Sequence, residues 1–244
     1  MPIGLLPPED DRVPFPPAHT AAREPNGLLA VGGNLGPRRL LDAYRQGIFP
    51  WFGEGEPILW WTPDPRCVLF PERLHIARSL RRTLNSGRLR VTRNTAFAEV
   101  VRGCAEPRPD SPGTWIVPSM QTAYTHLHEL GYATSFECWR GADLVGGIYG
   151  VHLGTVFFGE SMFSRVTDAS KVALVETTAA GDIDLIDCQI SSEHLLRMGA
   201  HEIPRHRFLE LLRRFGAHPG GGAPTAVAST PSPRSDTGAG VTNG

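Results

Sequence analysis

The chain has 244 residues, 41% of them hydrophobic, with 24 basic side chains against 25 acidic ones and a formal net charge of -1. That length suits one large domain or two small ones, and so even a charge balance does not advertise nucleic-acid binding, although a local basic patch still would. No stretch approaches the ~20 apolar residues of a membrane span, and residues 1–17 are proline-rich without the apolar run of a secretory leader. Cys67, Cys104, Cys138 and Cys188 are too scattered for a zinc site or a disulfide scaffold, which fits a reducing cytoplasm with the four buried as small hydrophobes.

Residues 1–30 are rich in Pro and Gly and read as irregular. Asn34, then Pro37 in the first turn, opens a short helix through Leu40, Leu41 and Tyr44 that Gly47 closes. Five aromatics follow between Phe49 and Trp61, in a segment too broken by Gly and Pro to be one element. It reads equally as the core of a small N-terminal domain, placed at 1–66, or as an aromatic wall for a ligand. From Cys67 the chain becomes regular. A strand at 67–70, a helix at 72–84, a strand at 89–92 and helices at 95–105 and 118–130 lead into a three-strand meander at 133–140, 144–151 and 155–159. A helix at 168–179, a strand at 185–187, a short helix at 193–198 and a final helix at 204–215 follow. An antiparallel core with interspersed helices is an α+β pattern, and the element order resembles acetyltransferase-like folds. This second domain is placed at 67–218. Residues 219–244 have almost nothing to bury and are expected to be a disordered tail.

Two polar stretches in apolar surroundings carry the chemical signal. They are Gly159-Glu160-Ser161-Met162-Phe163-Ser164, after Val156-Phe157-Phe158, and Leu185-Ile186-Asp187-Cys188-Gln189. A carboxylate there is costly to bury unless it is paired, hydrogen-bonded or catalytic. Glu160 at a strand end and Asp187 can each hold a cation or take a proton, and strand alternation puts Gln189 on the face of Asp187. A buried network that only fixes the fold is the equal alternative. No Gly-x-Ser-x-Gly elbow serves Ser161, Ser164 or Ser170, and the histidines lack metal-ligand spacing. Arg78, Arg81, Arg82, Arg88, Arg90 and Arg93 form a basic run with no Asp or Glu between His75 and Thr95, the pattern of a phosphate-contact surface. Lys171 is the only lysine; it marks either a need for a compact ammonium or chance survival.

Longer motifs are more specific. Residues 27–35 (GLLAVGGNL), 44–52 (YRQGIFPWF), 57–66 (PILWWTPDPR), Gly113-Thr114-Trp115-Ile116, Gly146-Gly147-Ile148-Tyr149-Gly150, 157–163, Asp168-Ala169-Ser170-Lys171 and 185–189 occur in one order. Over residues 10–215 the chain resembles the leucyl/phenylalanyl-tRNA–protein transferase family. The resemblance implies a small N-terminal domain joined to a C-terminal domain similar to GNAT acetyltransferases. It implies an enzyme that moves Leu or Phe, with Met a further candidate, from aminoacyl-tRNA to the N-terminal Arg or Lys of an acceptor protein, which is then degraded under the N-end rule. Charged tRNA and acceptor proteins are the implied partners, with no cofactor and no metal, for a cytoplasmic protein expected to act as a monomer. Asp187 and Gln189 match the carboxylate–amide pair of the family's proposed mechanism. Glu160 matches its other active-site carboxylate, which could also hold the acceptor's cationic side chain. Trp51, Trp115, Ile148, Phe157 and Ile186 match its apolar pocket, and Arg78, Arg81, Arg82, Arg88 and Arg90 would face the tRNA acceptor stem. Residues 172–184 are shorter than the family pattern, so the pocket floor supplied there is expected to be weakened. A plain acetyltransferase would need an Arg/Gln-x-x-Gly-x-Gly/Ala loop opening a helix to hold a pyrophosphate, and the chain has none.

Overall fold

The computed structural model describes residues 3–107 and 116–217; Trp115 and the tail at 219–244 lie outside the described residues. In chain order the N-terminal elements are β1 (Gly4–Leu6), β2 (Leu28–Gly32), α1 (Pro37–Arg45), β3 (Phe49–Pro50) and β4 (Leu59–Trp61). Then come β5 (Arg66–Leu69), α2 (Arg78–Asn85), β6 (Arg90–Arg93), α3 (Phe97–Ala105), α4 (Pro118–Glu129), β7 (Ala133–Arg140), β8 (Asp143–Leu153) and β9 (Val156–Ser164). The last elements are α5 (Ala169–Thr178), β10 (Leu185–Gln189), α6 (Glu193–Arg197), β11 (His201–Ile203) and α7 (Arg205–Arg214). The strands form a four-stranded sheet, β1-β2-β4-β3, and a seven-stranded one, β11-β5-β10-β9-β8-β7-β6. The architecture is α+β, as the alternating elements predict.

Strand period two explains how the larger sheet is covered on both faces. Cys67, Leu69, Phe157 and Ile186 point to one side, where Leu80 of α2 and Val172 and Leu174 of α5 pack on them. Their neighbours Val68, Phe158 and Leu185 point to the other side and meet α3, α4 and α7 through Phe97, Tyr124 and Phe208. Leu40, Tyr44, Ile48 and Trp60 from the N-terminal elements enter that same cluster. The aromatic segment divides between core and surface. Phe49, Phe52 and Trp60 are core, while Trp51 is 41% exposed.

Several boundaries differ from the sequence reading, each for a tertiary reason. The nominally irregular start contributes β1 and β2, which pair in parallel. The helix expected at 72–84 is a 3-10 turn at Pro71–Arg73 followed by α2 from Arg78. Between them His75 N–H donates to the Met198 carbonyl at 2.9 Å, so the backbone is satisfied across the fold instead of within a helix. The hairpin after β8 is tighter than expected, because His152 and Leu153 still pair with Phe157 and Val156. β9 continues to Ser164, which places Glu160 inside a strand and not at its end. β11, unforeseen, adds an edge strand against β5.

Candidate active site

The site is a place where two parallel strands part. β9 and β10 pair only at Val156–Phe158 and Leu185–Asp187. Beyond that both carboxyl ends diverge and leave a cleft of about 500 Å³, lined by residues 159–162 on one side and 186–192 on the other. Crevices outside the carboxyl ends of parallel strands are recurrent ligand sites in sheets with such a split.

A bulge marks each wall. Across β8, Gly150 faces Gly159 and Tyr149 faces Ser161, so Glu160 is an extra residue. Across β5, Asp187 faces Val68 and Gln189 faces Cys67, so Cys188 is extra. A bulge breaks period two and re-aims side chains. This is why Phe158 and Phe163, five apart in sequence, pack in the same core cluster. It also corrects the expectation for Gln189, whose position does not follow from simple alternation with Asp187. Gln189 adopts φ 61°, in the left-handed region that non-glycine residues rarely occupy.

The polar side chains then join. Tyr124 Oη of α4 donates to Glu160 Oε2 at 2.7 Å, and the hydroxyls of Tyr124 and Tyr44 share a bond of 2.5 Å. Gln189 Nε2 donates to Glu160 Oε1 at 2.9 Å, while its backbone N–H donates to Asp187 Oδ1 at 2.9 Å. Asp187 in turn takes two bonds from Arg66, Nε to Oδ1 at 2.8 Å and Nη2 to Oδ2 at 2.6 Å. The guanidinium is held between the rings of Phe49 and Phe208, at 4.8 and 4.7 Å from their centroids, and its Nη1 donates to the Gly47 carbonyl at 3.1 Å. Both members of this ion pair are fully buried, so its strength depends on that complete set of bonds.

The two carboxylates therefore differ. Burial pushes the Glu160 carboxyl up to about 7, opposed by the hydroxyls of Tyr124 and Tyr44 and reinforced by the charge of Asp187. Asp187 has a guanidinium of its own. Neither Arg66 nor the tyrosines were singled out in the sequence, yet each left a trace. Arg66 opens the apolar strand Arg66-Cys67-Val68-Leu69, and a buried cation needs an anion. Tyr124 shares the buried face of its helix with Met120 and Leu127, and a buried phenol seeks a partner.

Trp51, Ile148 and Ile186 line the cleft, together with Met162, Leu174 and Leu195. Phe157 lies behind this wall, fully buried in the same cluster as Ile148 and Ile186. Leu174 belongs to the segment 172–184, so α5 reaches the cleft. Arg78, Arg81, Arg82, Arg88 and Arg90 are exposed, with Arg90 stacked 5.9 Å from the Trp139 ring. Arg93, the sixth of the run, is committed to Asp182 at 2.9 Å. Among the described residues, no three or more His, Cys, Asp and Glu are grouped to hold a metal, and no helix is long and apolar enough to cross a membrane.

A sequence model described as leucyl/phenylalanyl-tRNA protein transferase matches residues 68–213, and one for that family's N-terminal domain matches residues 33–64. The chain belongs to the leucyl/phenylalanyl-tRNA protein transferase family. Curated relatives bear this out at high similarity. A protein of that name from Stutzerimonas stutzeri (strain A1501) is 58% identical over 205 residues, 83% of this chain and 91% of its own length. One from Anaeromyxobacter sp. (strain Fw109-5) is 59% identical over 218 residues, 88% of this chain and 91% of its own. Among solved structures, a GCN5-related N-acetyltransferase from Kribbella flavida gives a TM-score of 0.35 at 11% identity, covering 69% of this chain and 61% of that one. Within this family, the cleft between β9 and β10 is the candidate active site.

Proposed function

We propose that the chain transfers leucine or phenylalanine, with methionine a further donor, from aminoacyl-tRNA to the α-amine of an N-terminal Arg or Lys, marking that protein for degradation under the N-end rule. The observation that carries this reading is Glu160. Its carboxyl group is buried beside an apolar wall and poised at about 7. The aminoacyl ester is already activated, so the reaction asks for a neutral amine and a route for one proton. An α-amine ordinarily titrates at about 7.7–8.0, and a base matched to neutral pH is the efficient acceptor.

Glu160 takes the proton as the amine nitrogen attacks the ester carbon. When the carbon–oxygen bond to the terminal ribose breaks, the same proton passes to the departing ribose oxygen. Gln189, bonded to Glu160, orients it and presents its amide to the reacting carbonyl. Asp187 acts differently, because both of its oxygens are paired with the buried Arg66 cation, whereas Glu160 accepts from the neutral groups of Tyr124 and Gln189. It anchors the Gln189 N–H and so fixes the bulge. This division is supported by the bonding of each carboxylate. The same anionic Glu160 could attract the acceptor's cationic side chain.

Ile148, Met162, Leu174 and Ile186 form a wall suited to Leu, Phe and Met side chains, and burial of a polar side chain against it would leave that side chain unpaired. Trp51 stands at the mouth, and Phe157 supports Ile148 and Ile186 from behind. Arg78, Arg81, Arg82, Arg88 and Arg90 would bind the acceptor stem through phosphates. The reading places the protein in the cytoplasm, acting as a monomer. It is tested by incubating the chain with labelled leucyl-tRNA and a peptide beginning with Arg or Lys. Label is expected on the peptide α-amine and absent when that amine is acetylated. Intact tRNA binding without transfer would overturn the reading.

A further inference from the structure

We propose that Cys67 and Cys188 are a modification site: a thiol pair in the cleft wall that closes to a reversible disulfide under peroxide. The pair stands on adjacent antiparallel strands. Gln189 faces Cys67 and Cys188 is the inserted residue beside it; directly opposed residues on such strands have Cα atoms roughly 4.5–5.5 Å apart, within the span a disulfide bridges, and Cys188 is the next residue along. Both side chains leave the sheet on the same face. Cys67 belongs to the apolar cluster under α5, and Cys188 packs against that cluster. The neighbouring Cys67 thiol, together with burial, raises the Cys188 thiol well above its ordinary value. Cys188 also lines the cleft, whereas Cys67 is enclosed. Cys188 is thus the thiol nearer the cleft, and Cys67 lies behind it.

The chemistry divides accordingly. The Cys188 sulfur attacks a peroxide oxygen, the O–O bond breaks, and Cys188 sulfenic acid and water result. The Cys67 sulfur then attacks the sulfenic sulfur, a second water leaves, and the two thiols have lost two electrons and two protons to the peroxide. Because Cys188 holds its proton tightly, little thiolate is present at neutral pH and the first step is slow; the pair responds to sustained peroxide and resists brief exposure. Closing the bond draws the sulfurs from thiol contact to covalent distance, about 2.05 Å. The bulge that carries Gln189 moves with Cys188. A misplacement of about 1 Å at a reacting centre lowers the rate about a hundredfold, and a reducing thiol restores it.

The existence of the bond does not depend on the proposed activity; only its consequence for transfer does. The full chain is treated with hydrogen peroxide, alkylated, digested and analysed by mass spectrometry. A linked Cys67–Cys188 peptide that dithiothreitol releases is expected, and transfer of leucine should fall about a hundredfold and recover with the thiol. Cys67→Ala should form no link and keep transfer through the same treatment. Oxidation of Cys188 with no linked peptide in the natural chain would overturn the proposal. So would loss of transfer in Cys67→Ala equal to that of the natural chain and irreversible in both. If the link forms and transfer is unchanged, the site stands and its effect on the reaction is refuted.

Discussion

Replacing Tyr124 by Phe should move the pH dependence of transfer without moving its plateau. The Tyr124 hydroxyl donates to Glu160 Oε2 at 2.7 Å in a fully buried setting. A hydrogen bond to a charged group is worth about 1.5–3 kcal/mol, and one to a neutral group about 1 kcal/mol. The ionised carboxylate therefore loses roughly 1.3 kcal/mol more than the protonated acid when the hydroxyl is deleted, which raises the carboxyl from about 7 by close to one pH unit. Rate should be measured for the natural chain and the variant across neutral pH, with leucyl-tRNA and one peptide acceptor. The acceptor amine titrates identically in both, so the difference between profiles isolates Glu160. Near pH 6 the variant should be slower by about tenfold, and at the alkaline end the two should agree within about twofold. A loss uniform across pH would show that the hydroxyl only supports packing, and coincident profiles would show that Glu160 is not the base.

Arg66→Met leaves the Asp187 carboxylate buried without its partner, so stability should drop by about 3–5 kcal/mol in urea unfolding, with transfer lost in parallel; a loss below about 1 kcal/mol would mean that water or another cation takes over. Glu160→Gln tests the sign of a raised carboxyl. Folding favours the protonated acid, so this group's stabilising share is present below its ordinary value of 4.5 and is lost as pH rises through about 7. The variant should abolish transfer yet be more stable than the natural chain on the alkaline side, and an unchanged pH dependence of unfolding would contradict the burial of this charge. Replacing Arg81 and Arg82 together by Ala should raise the KM for charged tRNA at constant kcat and flatten the salt dependence of binding by about two counterions; an unaltered salt slope would remove α2 from the tRNA path.

Where side chains follow the period of their element, the sequence was legible. The helices at Pro118–Glu129 and Arg205–Arg214 and the strand at Ala133–Arg140 lie close to where apolar spacing puts them. The misses have tertiary causes. Nothing local in Leu74-His75-Ile76-Ala77 forbids a helix; the Met198 carbonyl, far away in sequence, takes the His75 N–H instead. β1 and β11 are three residues each, too short for alternation to register. Within the candidate site, the motifs marked Glu160, Asp187 and Gln189, but not the cation that Asp187 needs. Arg66 is 121 positions away from it, and only the β5–β10 pairing brings them together.

The two bulges explain why the site was the hardest part to read. An alternating strand fixes the side of each residue, so a reader who counts by two predicts both core and surface. Glu160 and Cys188 are each one residue too many. Counting across them fails, and the failure is local to the cleft. An unbulged β9 would keep Phe158, Glu160 and Met162 on one face and turn Phe163 to the other. Instead Phe158 and Phe163 share one cluster and Met162 packs on the opposite side, which the inserted residue alone permits. On the other wall, the insertion at Cys188 shifts Gln189 by one position against β5, so that its amide can reach Glu160 across the gap between β9 and β10. The deviation from period two is thus the structural cause of the carboxylate–amide contact. Deleting Cys188 should restore regular pairing with β5, turn Gln189 away from Glu160 and abolish transfer, while the arginines of α2 still bind tRNA. Retention of transfer in that deletion would show that the bulge is not what brings the two groups together.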